Sequence, residues 1–377
     1  MDVAVTGIGL LSCLGSLQST WSSILQGKSG IKSRRLFSEL PAYPLGLVSA
    51  KPSKVDALTR KILLDTLSDA RLTLPLPECG IVVGSSRGCQ ANWEELATSR
   101  RSSDDTAIPN WLQTLPHQSA IVCAQHLQTT APVLSPMAAC ATGIWALARG
   151  YELIKTKRCE RVIAGAVEAP ITPLTLAAFE RMGALAKTGC YPFDRDREGL
   201  VLGEGGAMFV LETAELARRR QARIYGYVKG FGLTCDAHHI SAPQTTRGSA
   251  ARAIKQALER SNLEAKDMDY IHAHGTSTTL NDRHEAELIQ HIFSQDTAVS
   301  STKGATGHTL GASGAIGTAL TLMALTQKIL PLCVGLKSSE FDLNMVTQLR
   351  KAPINHAMCF SFGFGGQNAV VTVSDRC

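Results

Sequence analysis

The sequence predicts an α/β layered fold made of two similar halves, with one buried apolar helix from each half lying between mixed sheets. Three observations carry this prediction. Two long stretches, residues 135–148 and 304–327, contain no formal charge, and helices apolar all round belong inside a large core. Short apolar runs of strand length alternate with charged, helix-patterned segments along the whole chain. A charged helix over 212–223 separates two stretches of similar pattern, which gives halves at 1–213 and 221–377.

In chain order, residues 2–6 form a first strand, and Gly7-Ile8-Gly9 reads as a tight turn into a helix near 16–26. The two glycines invite a dinucleotide fingerprint, but Ser12 stands in the third glycine's place and no acid follows at a second strand end. Residues 27–55, with Pro41, Pro44 and Pro52, read as irregular, and 54–71 as an amphipathic helix exposing Arg60 and Lys61. A buried strand at 80–83 runs into Gly84-Ser85-Ser86-Arg87-Gly88, which matches the Gly-x-Ser-x-Gly elbow of α/β-hydrolases and makes Ser86 a candidate nucleophile. A plain glycine-rich loop explains that motif more simply. The apolar helix carrying Cys140 in its first turn ends near 155, and a strand at 161–166 and a helix at 174–186 follow. The charges of Tyr191-Pro192-Phe193-Asp194-Arg195-Asp196-Arg197 read as pairing with one another in a loop. The second half supplies a strand at 224–231 and a loop with His238 and His239. It continues with a helix at 247–261, strands at 270–273 and 297–301, the apolar helix 313–326, a strand at 330–334 and a hairpin around 363–366.

Composition narrows the function. The chain has 377 residues, 44% hydrophobic and 19% charged, ordinary values for a soluble globular protein. A net charge of +6 is too small and dispersed for nucleic-acid binding but suits an acidic protein partner. Eleven scattered cysteines without Cys-x-x-Cys spacing fit neither a disulfide framework nor a zinc cage and point to a reducing cytoplasm. The start lacks the basic region of a signal peptide, and the 304–327 run is too rich in small residues for a membrane span.

Four islands hold the candidate chemistry. Cys140 stands in Ala139-Cys140-Ala141-Thr142-Gly143, where a helix N-terminus favours negative charge and so thiolate, although taken alone a free cysteine is more often a small buried hydrophobe. His274 follows a predicted strand in Ala273-His274-Gly275-Thr276-Ser277-Thr278, with Asn281, Asp282 and Glu285 beyond. Lys303 and His308 share the Ser/Thr/Gly-rich stretch 300–312, and Phe362, Phe364 and Asn368 lie in Ser361-Phe362-Gly363-Phe364-Gly365-Gly366-Gln367-Asn368. One loop histidine is more often structural than catalytic. Two, together with a candidate nucleophile, are harder to dismiss. No His-x-x-x-His or acid pairing supports a metal.

In the order and spacing of these islands, and in PFDRDREGLVLGEGG at 192–206, the chain resembles the β-ketoacyl-acyl-carrier-protein synthases of the elongating, two-histidine type, among the thiolase-like condensing enzymes. The resemblance runs from VTGIGLLSCLG to FSFGFGGQN, nearly the whole chain, and implies a thiolase-like fold. It implies that Cys140 carries the acyl group and that His274 and His308 are the catalytic pair, with Lys303 in support. Phe364 would be gate and, with Cys140, oxyanion-hole donor, while Thr276, Thr278, Asp282, Glu285, Phe362 and Asn368 organise the site. The implied reaction is decarboxylative condensation with malonyl-acyl-carrier protein, without metal or other cofactor. The implied partners are acyl-carrier protein and a second subunit, identical or a chain-length-factor-like paralogue. Trp111 and Leu112 fall where such chains cap the acyl pocket, and Arg60, Lys61, Arg181 and Lys187 are candidates for docking the carrier.

The resemblance implies chain elongation in fatty-acid or polyketide synthesis, and departures from the family pattern point to the specialised, polyketide-type role. Gly317 stands where the family carries a glutamate nine positions after the second histidine, which leaves Lys303 without its usual acid. Gln367 replaces a threonine and Thr279 a proline, and the loop before PFDRD is short. Serine hydrolysis at Ser86, a non-elongating decarboxylase or acyltransferase, and a scaffold partner of the same fold are the alternatives.

Overall fold

A computed structural model describes residues 1–101, 108–244 and 248–376. Eleven strands form one continuous path. They are β1 (Val3–Ser12), β2 (Gly80–Gly84), β3 (Val133–Leu134), β4 (Arg161–Glu168), β5 (Gly205–Thr213), β6 (Gly226–Cys235), β7 (Tyr270–His272), β8 (Ala298–Ser300), β9 (Asn344–Met345), β10 (His356–Gly363) and β11 (Gln367–Ser374). Their order is β9-β8-β7-β10-β11-β6-β1-β5-β4-β2-β3, and a short strand at Gly15–Ser16 pairs with β1 off this path. First-half strands lie on one side and second-half strands on the other, meeting where β1 pairs antiparallel with β6. Each side is mixed: β2 runs parallel to β3 and β4, β8 runs parallel to β7 and β9, β7 runs parallel to β10, and the remaining pairs along the path are antiparallel.

Five helices matter for the site: α1 (Val55–Asp69), α2 (Thr142–Lys155), α3 (Pro173–Arg181), α4 (Thr279–Ile292) and α5 (Ser313–Gln327). From Ser313 to Leu325 every residue of α5 is buried, as its lack of charge requires. Helix α2 is buried along one side and carries Arg149, Glu152 and Lys155 in its C-terminal half, so it is amphipathic rather than apolar all round. Each of the two touches strands of both halves, which places them between the two sides of the sheet. They cross closely at their first turns. A Cβ on Gly143 would sit 2.5 Å from the Ala315 amide nitrogen, so glycine is what lets the two N-termini meet.

Several local expectations need correction. Gly7 and Gly9 do not turn; β1 runs straight through them because α1 packs there, and a Cβ on Gly9 would fall 2.2 Å from Thr66 Oγ1. Residues 27–55 contain a small hairpin, Lys32–Arg34 against Tyr43–Leu45. Helix α3 stops at Arg181, and only Ile329–Leu330 of the 330–334 region is strand. The helix expected at 247–261 runs Gly248–Ser261, and Arg247 lies outside the described residues. The charges of 194–197 bind outward rather than to one another. Asp194 accepts from the Lys337 and Ser338 amides at 2.6 and 2.9 Å, and Arg197 pairs with Glu340 at 2.7 Å. The loop therefore staples first-half chain to second-half chain.

Candidate active site

Cys140 sits one residue before the N-cap of α2, after Ala139 at φ 46°, a left-handed conformation costly for a residue with a Cβ. That kink turns the chain into the helix abruptly. His308 lies five residues before Ser313 at the start of α5, and Leu310 between them is also left-handed, at φ 42°. His274 follows β7. The sulfur of Cys140 and one ring nitrogen from each of His274 and His308 lie within 4.8 Å of one another, and all three side chains are buried. The imidazoles meet edge to face, with centroids 5.2 Å apart.

Each ring is held at Nδ1. Ser313 Oγ lies 2.7 Å from His308 Nδ1, and Lys303 Nζ lies 3.5 Å from His274 Nδ1 while also bonding the His274 carbonyl. With Ser313 and Lys303 as the donors to Nδ1, the proton of each neutral ring sits on Nε2, and each ring can offer one N–H there. Burial, reinforced by the Lys303 charge, drives both histidines well below 6.5, so they stay neutral.

Cys140 departs from expectation. Burial pushes its thiol up to about 11. Lys303, the Phe364 amide and its own amide pull the other way and lose, while Glu168 adds to the rise. The helix terminus does not make a free thiolate here. The amides of Cys140 and Phe364 do converge on the sulfur, the arrangement that two oxyanion-hole donors need.

Behind the histidines lies a carboxylate frame. Glu285 accepts from the His274 and Gly275 amides at 2.5 and 2.7 Å, and Asp282 from the Thr276 and Phe193 amides at 2.9 and 2.8 Å. Thr278 caps α4, and its hydroxyl lies 2.9 Å from that of Thr276. Burial pushes Glu285 up to about 7 even though Gly275 and His274 stabilise its charge. Lys303 is buried and lowered by that burial, with Glu285 its largest compensating charge. Lys303 therefore has an acidic neighbour, supplied by α4, and the space beside Gly317 is filled by His272.

The triad opens into a cavity of about 290 Å³, lined at its base by Phe362, Phe364 and Asn368 and at its mouth by Met182 and Leu280. Phe362 lies edge to face on His274 and Phe364 stacks on Phe179, with centroids 6.0 and 6.1 Å apart. Asn368 donates to Asp236 at 2.7 Å and steadies the turn after Phe364 without touching the triad.

Other candidates fall elsewhere. Trp111 and Leu112 are exposed on a turn at Ile108–Thr114 and do not line this cavity. Arg181 and Lys187 are exposed and bracket the mouth residues 182–184, whereas Arg60 and Lys61 lie on α1 away from the cavity lining, with Lys61 paired to Asp65. Ser86 donates to Glu168 at 2.5 Å, and its neighbours Ser85, Arg87 and Gly311 bind the same carboxylate. Among the described residues Ser86 bonds Glu168 and Gly311 and no histidine, so the GSSRG segment is a cradle for a buried acid rather than a nucleophile elbow. Ser313 and Glu168 carried no sequence signal, since neither stands in a recognisable motif. The Cys–His–His donors would also accept a soft divalent cation. Spacing arguments miss that grouping because the three come from distant segments.

Duplicated α/β halves, with a cysteine and two neutral imidazoles meeting where the central helices begin, define a thiolase-fold condensing enzyme, an acyltransferase by reaction. The chain belongs to the β-ketoacyl synthase family: the N-terminal domain of that family matches residues 58–217 and its C-terminal domain residues 225–337. A 3-oxoacyl-[acyl-carrier-protein] synthase 2 from Synechocystis sp. is 32% identical, covering 98% of this chain and 97% of its own. The enzyme of the same name from Staphylococcus aureus is 30% identical over the same shares. Among solved structures, a type II PKS acyl-carrier protein in complex with its ketosynthase bound to the hexaketide superimposes at a TM-score of 0.93 with 25% identity, covering 99% of both chains. The ishigamide ketosynthase/chain length factor gives 0.91 with 26% identity, covering 99% of this chain and 98% of its own.

Proposed function

We propose that this chain lengthens an acyl group held on Cys140 by decarboxylative condensation with a malonyl thioester on acyl-carrier protein, in specialised polyketide assembly. The grouping of one sulfur and two imidazole nitrogens within 4.8 Å carries the reading. Cys140 attacks the incoming acyl thioester, the new Cys140 thioester forms, and the thiol proton ends on the departing carrier thiol. Malonyl thioester then enters and its C–C bond to the carboxylate breaks, releasing CO₂. The Nε2–H groups of His274 and His308 hold the enolate oxygen that results. The enolate carbon attacks the acyl carbonyl, the Cys140 and Phe364 amides hold the tetrahedral oxyanion, and collapse frees Cys140 to take back a proton. In this reading Lys303 keeps His274 in the donating tautomer, and Thr276, Thr278, Asp282, Glu285, Phe362 and Asn368 keep the loops in register.

The polyketide assignment draws on the two solved ketosynthases and on the change at Gly317. The curated relatives carry the name 3-oxoacyl-[acyl-carrier-protein] synthase 2, which fits the same condensation in either setting. Arg181 and Lys187 at the mouth, with Arg60 and Lys61 from a second subunit, would receive the acidic carrier. A dimer, with an identical chain or a chain-length-factor-like one, is favoured by β3. That strand ends the sheet, and Leu134 within it and Met137 just after it are exposed. Trp111 and Leu112 would then cap the partner's pocket. The halves at 1–213 and 221–377 would each contribute one reactive wall. The ten described cysteines, all free, suit a reducing cytoplasm.

Intact mass after incubation with acyl-carrier thioester tests the reading. One acyl group should appear, vanish in Cys140→Ala, and return lengthened by two carbons on the carrier when malonyl-carrier protein is added. Acylation without extension would make the chain an acyltransferase only. No acylation would leave it a scaffold.

A further inference from the structure

A third buried imidazole lies next to the two of the triad. His272 ends β7, two residues before His274, and is 2% exposed. Its Nε2 lies 3.0 Å from Thr302 Oγ1, and its Nδ1 lies 3.8 Å from the sulfur of Cys359 on β10. The third wall is α5 at Gly317, where a Cβ would stand 2.8 Å from His272 Nδ1 and Cε1 and 2.8 Å from the Cys359 sulfur. The ring thus fills a slot that exists only because residue 317 has no side chain. Burial, with the Lys303 charge, drives His272 down to about 3, and burial drives Cys359 up to about 12, so both are neutral.

Thr302 leads into the short helix Lys303–Thr306, and its carbonyl accepts from the Ala305 and Thr306 amides at 3.0 and 3.2 Å. Its neighbour Lys303 is the residue that bonds the His274 carbonyl and reaches His274 Nδ1. A continuous path therefore runs from His272 through Thr302 and Lys303 to His274. We propose that His272 is a positioning residue: through Thr302 it sets Lys303 against His274, and so orients the His274 N–H for the decarboxylation step. The role rests on the function proposed above.

The test uses the full chain and its variants His272→Leu, His272→Gln and Thr302→Val. Acyl loading of Cys140 and CO₂ release from malonyl-carrier protein are measured separately. Misplacing a reacting group by about 1 Å costs up to about a hundredfold. His272→Leu should therefore lower kcat for CO₂ release by about ten- to hundredfold, with KM for malonyl-carrier protein and the loading rate nearly unchanged. His272→Gln, whose amide reaches the Nε2 position, should regain most of that loss. Thr302→Val should reproduce it, and the Leu/Val double variant should be no worse than either single one. Parental CO₂ release in His272→Leu would overturn the proposal. So would a parallel fall of loading and CO₂ release in both His272 variants, which would make the residue mere packing. A parental chain that never loads Cys140 would overturn the function itself, and this role with it.

Discussion

The ionisation of Cys140 offers a quantitative test of the nucleophile proposed for this site. Burial raises its thiol from 9.0 to about 11, two pH units, against the opposing charge of Lys303. Two units correspond to about 3 kcal/mol favouring the thiol over the thiolate, and at pH 8 only about one sulfur in a thousand is ionised. The sign is fixed: a raised thiol pKa means fewer thiolates at every pH below it. Alkylation by iodoacetamide should therefore accelerate about tenfold per pH unit from about pH 7 to about pH 10, with no plateau near neutrality. Lys303→Met removes the largest influence favouring thiolate, so the same rates should be reached roughly one pH unit higher. The assay needs peptide mapping of Cys140, because Cys235 is exposed and will react on its own account. A rate already flat between about pH 6 and 8 would refute the reasoning and restore a thiolate activated by the helix terminus. A buried neutral thiol also means that acyl transfer must move a proton in step with attack. The solvent isotope effect on loading should then exceed unity.

Further outcomes follow from the same contacts. Ser313→Ala removes the donor at His308 Nδ1, so CO₂ release should fall about tenfold while acyl loading persists; unchanged CO₂ release would show that the tautomer is fixed otherwise. Ser86→Ala should keep condensation within a few-fold and the chain should resist fluorophosphonate, whereas a serine hydrolase would be silenced and labelled. Glu168→Leu strands the Gly311 and Arg87 amides and two hydroxyls, and should cost on the order of 2–3 kcal/mol, read as a lowered Tm; an unchanged Tm would deny the cradle its structural role. Trp111→Ala should lengthen the products if that ring caps the partner's pocket, and an unaltered product distribution would remove it from the pocket.

Much of this was readable from residue order alone, for physical reasons. Charge-free stretches announce buried helices, and α5 was legible within a residue because no charge interrupts it from end to end. Cys140, His274 and His308 stood out because each lies among small residues at a helix start or strand end. The carboxylate frame was partly visible as Asp282 and Glu285, yet α4, which presents them, was not foreseen, since its apolar positions are few and scattered. Gly7 and Gly9 misled because close packing of a helix and a tight turn demand the same residue. The charges around Asp194 misled because their partners lie over 140 positions away, at Lys337, Ser338 and Glu340. Lys303 was read as missing an acid because one absent glutamate is visible in sequence, whereas the compensating geometry of Glu285 and His272 exists only in three dimensions. The ionisation of Cys140 was misjudged because a helix terminus can be read from sequence and the depth of burial cannot.

The most direct measurement is CO₂ release from malonyl-carrier protein by the parental chain, His274→Ala and His308→Ala, with acyl loading of Cys140 followed in the same samples. Two neutral N–H donors sharing one enolate oxygen predict that each substitution slows CO₂ release by about 10²–10³ while the cysteine still loads. Parental CO₂ release in either histidine variant, or loss of loading in step with it, would contradict the shared site.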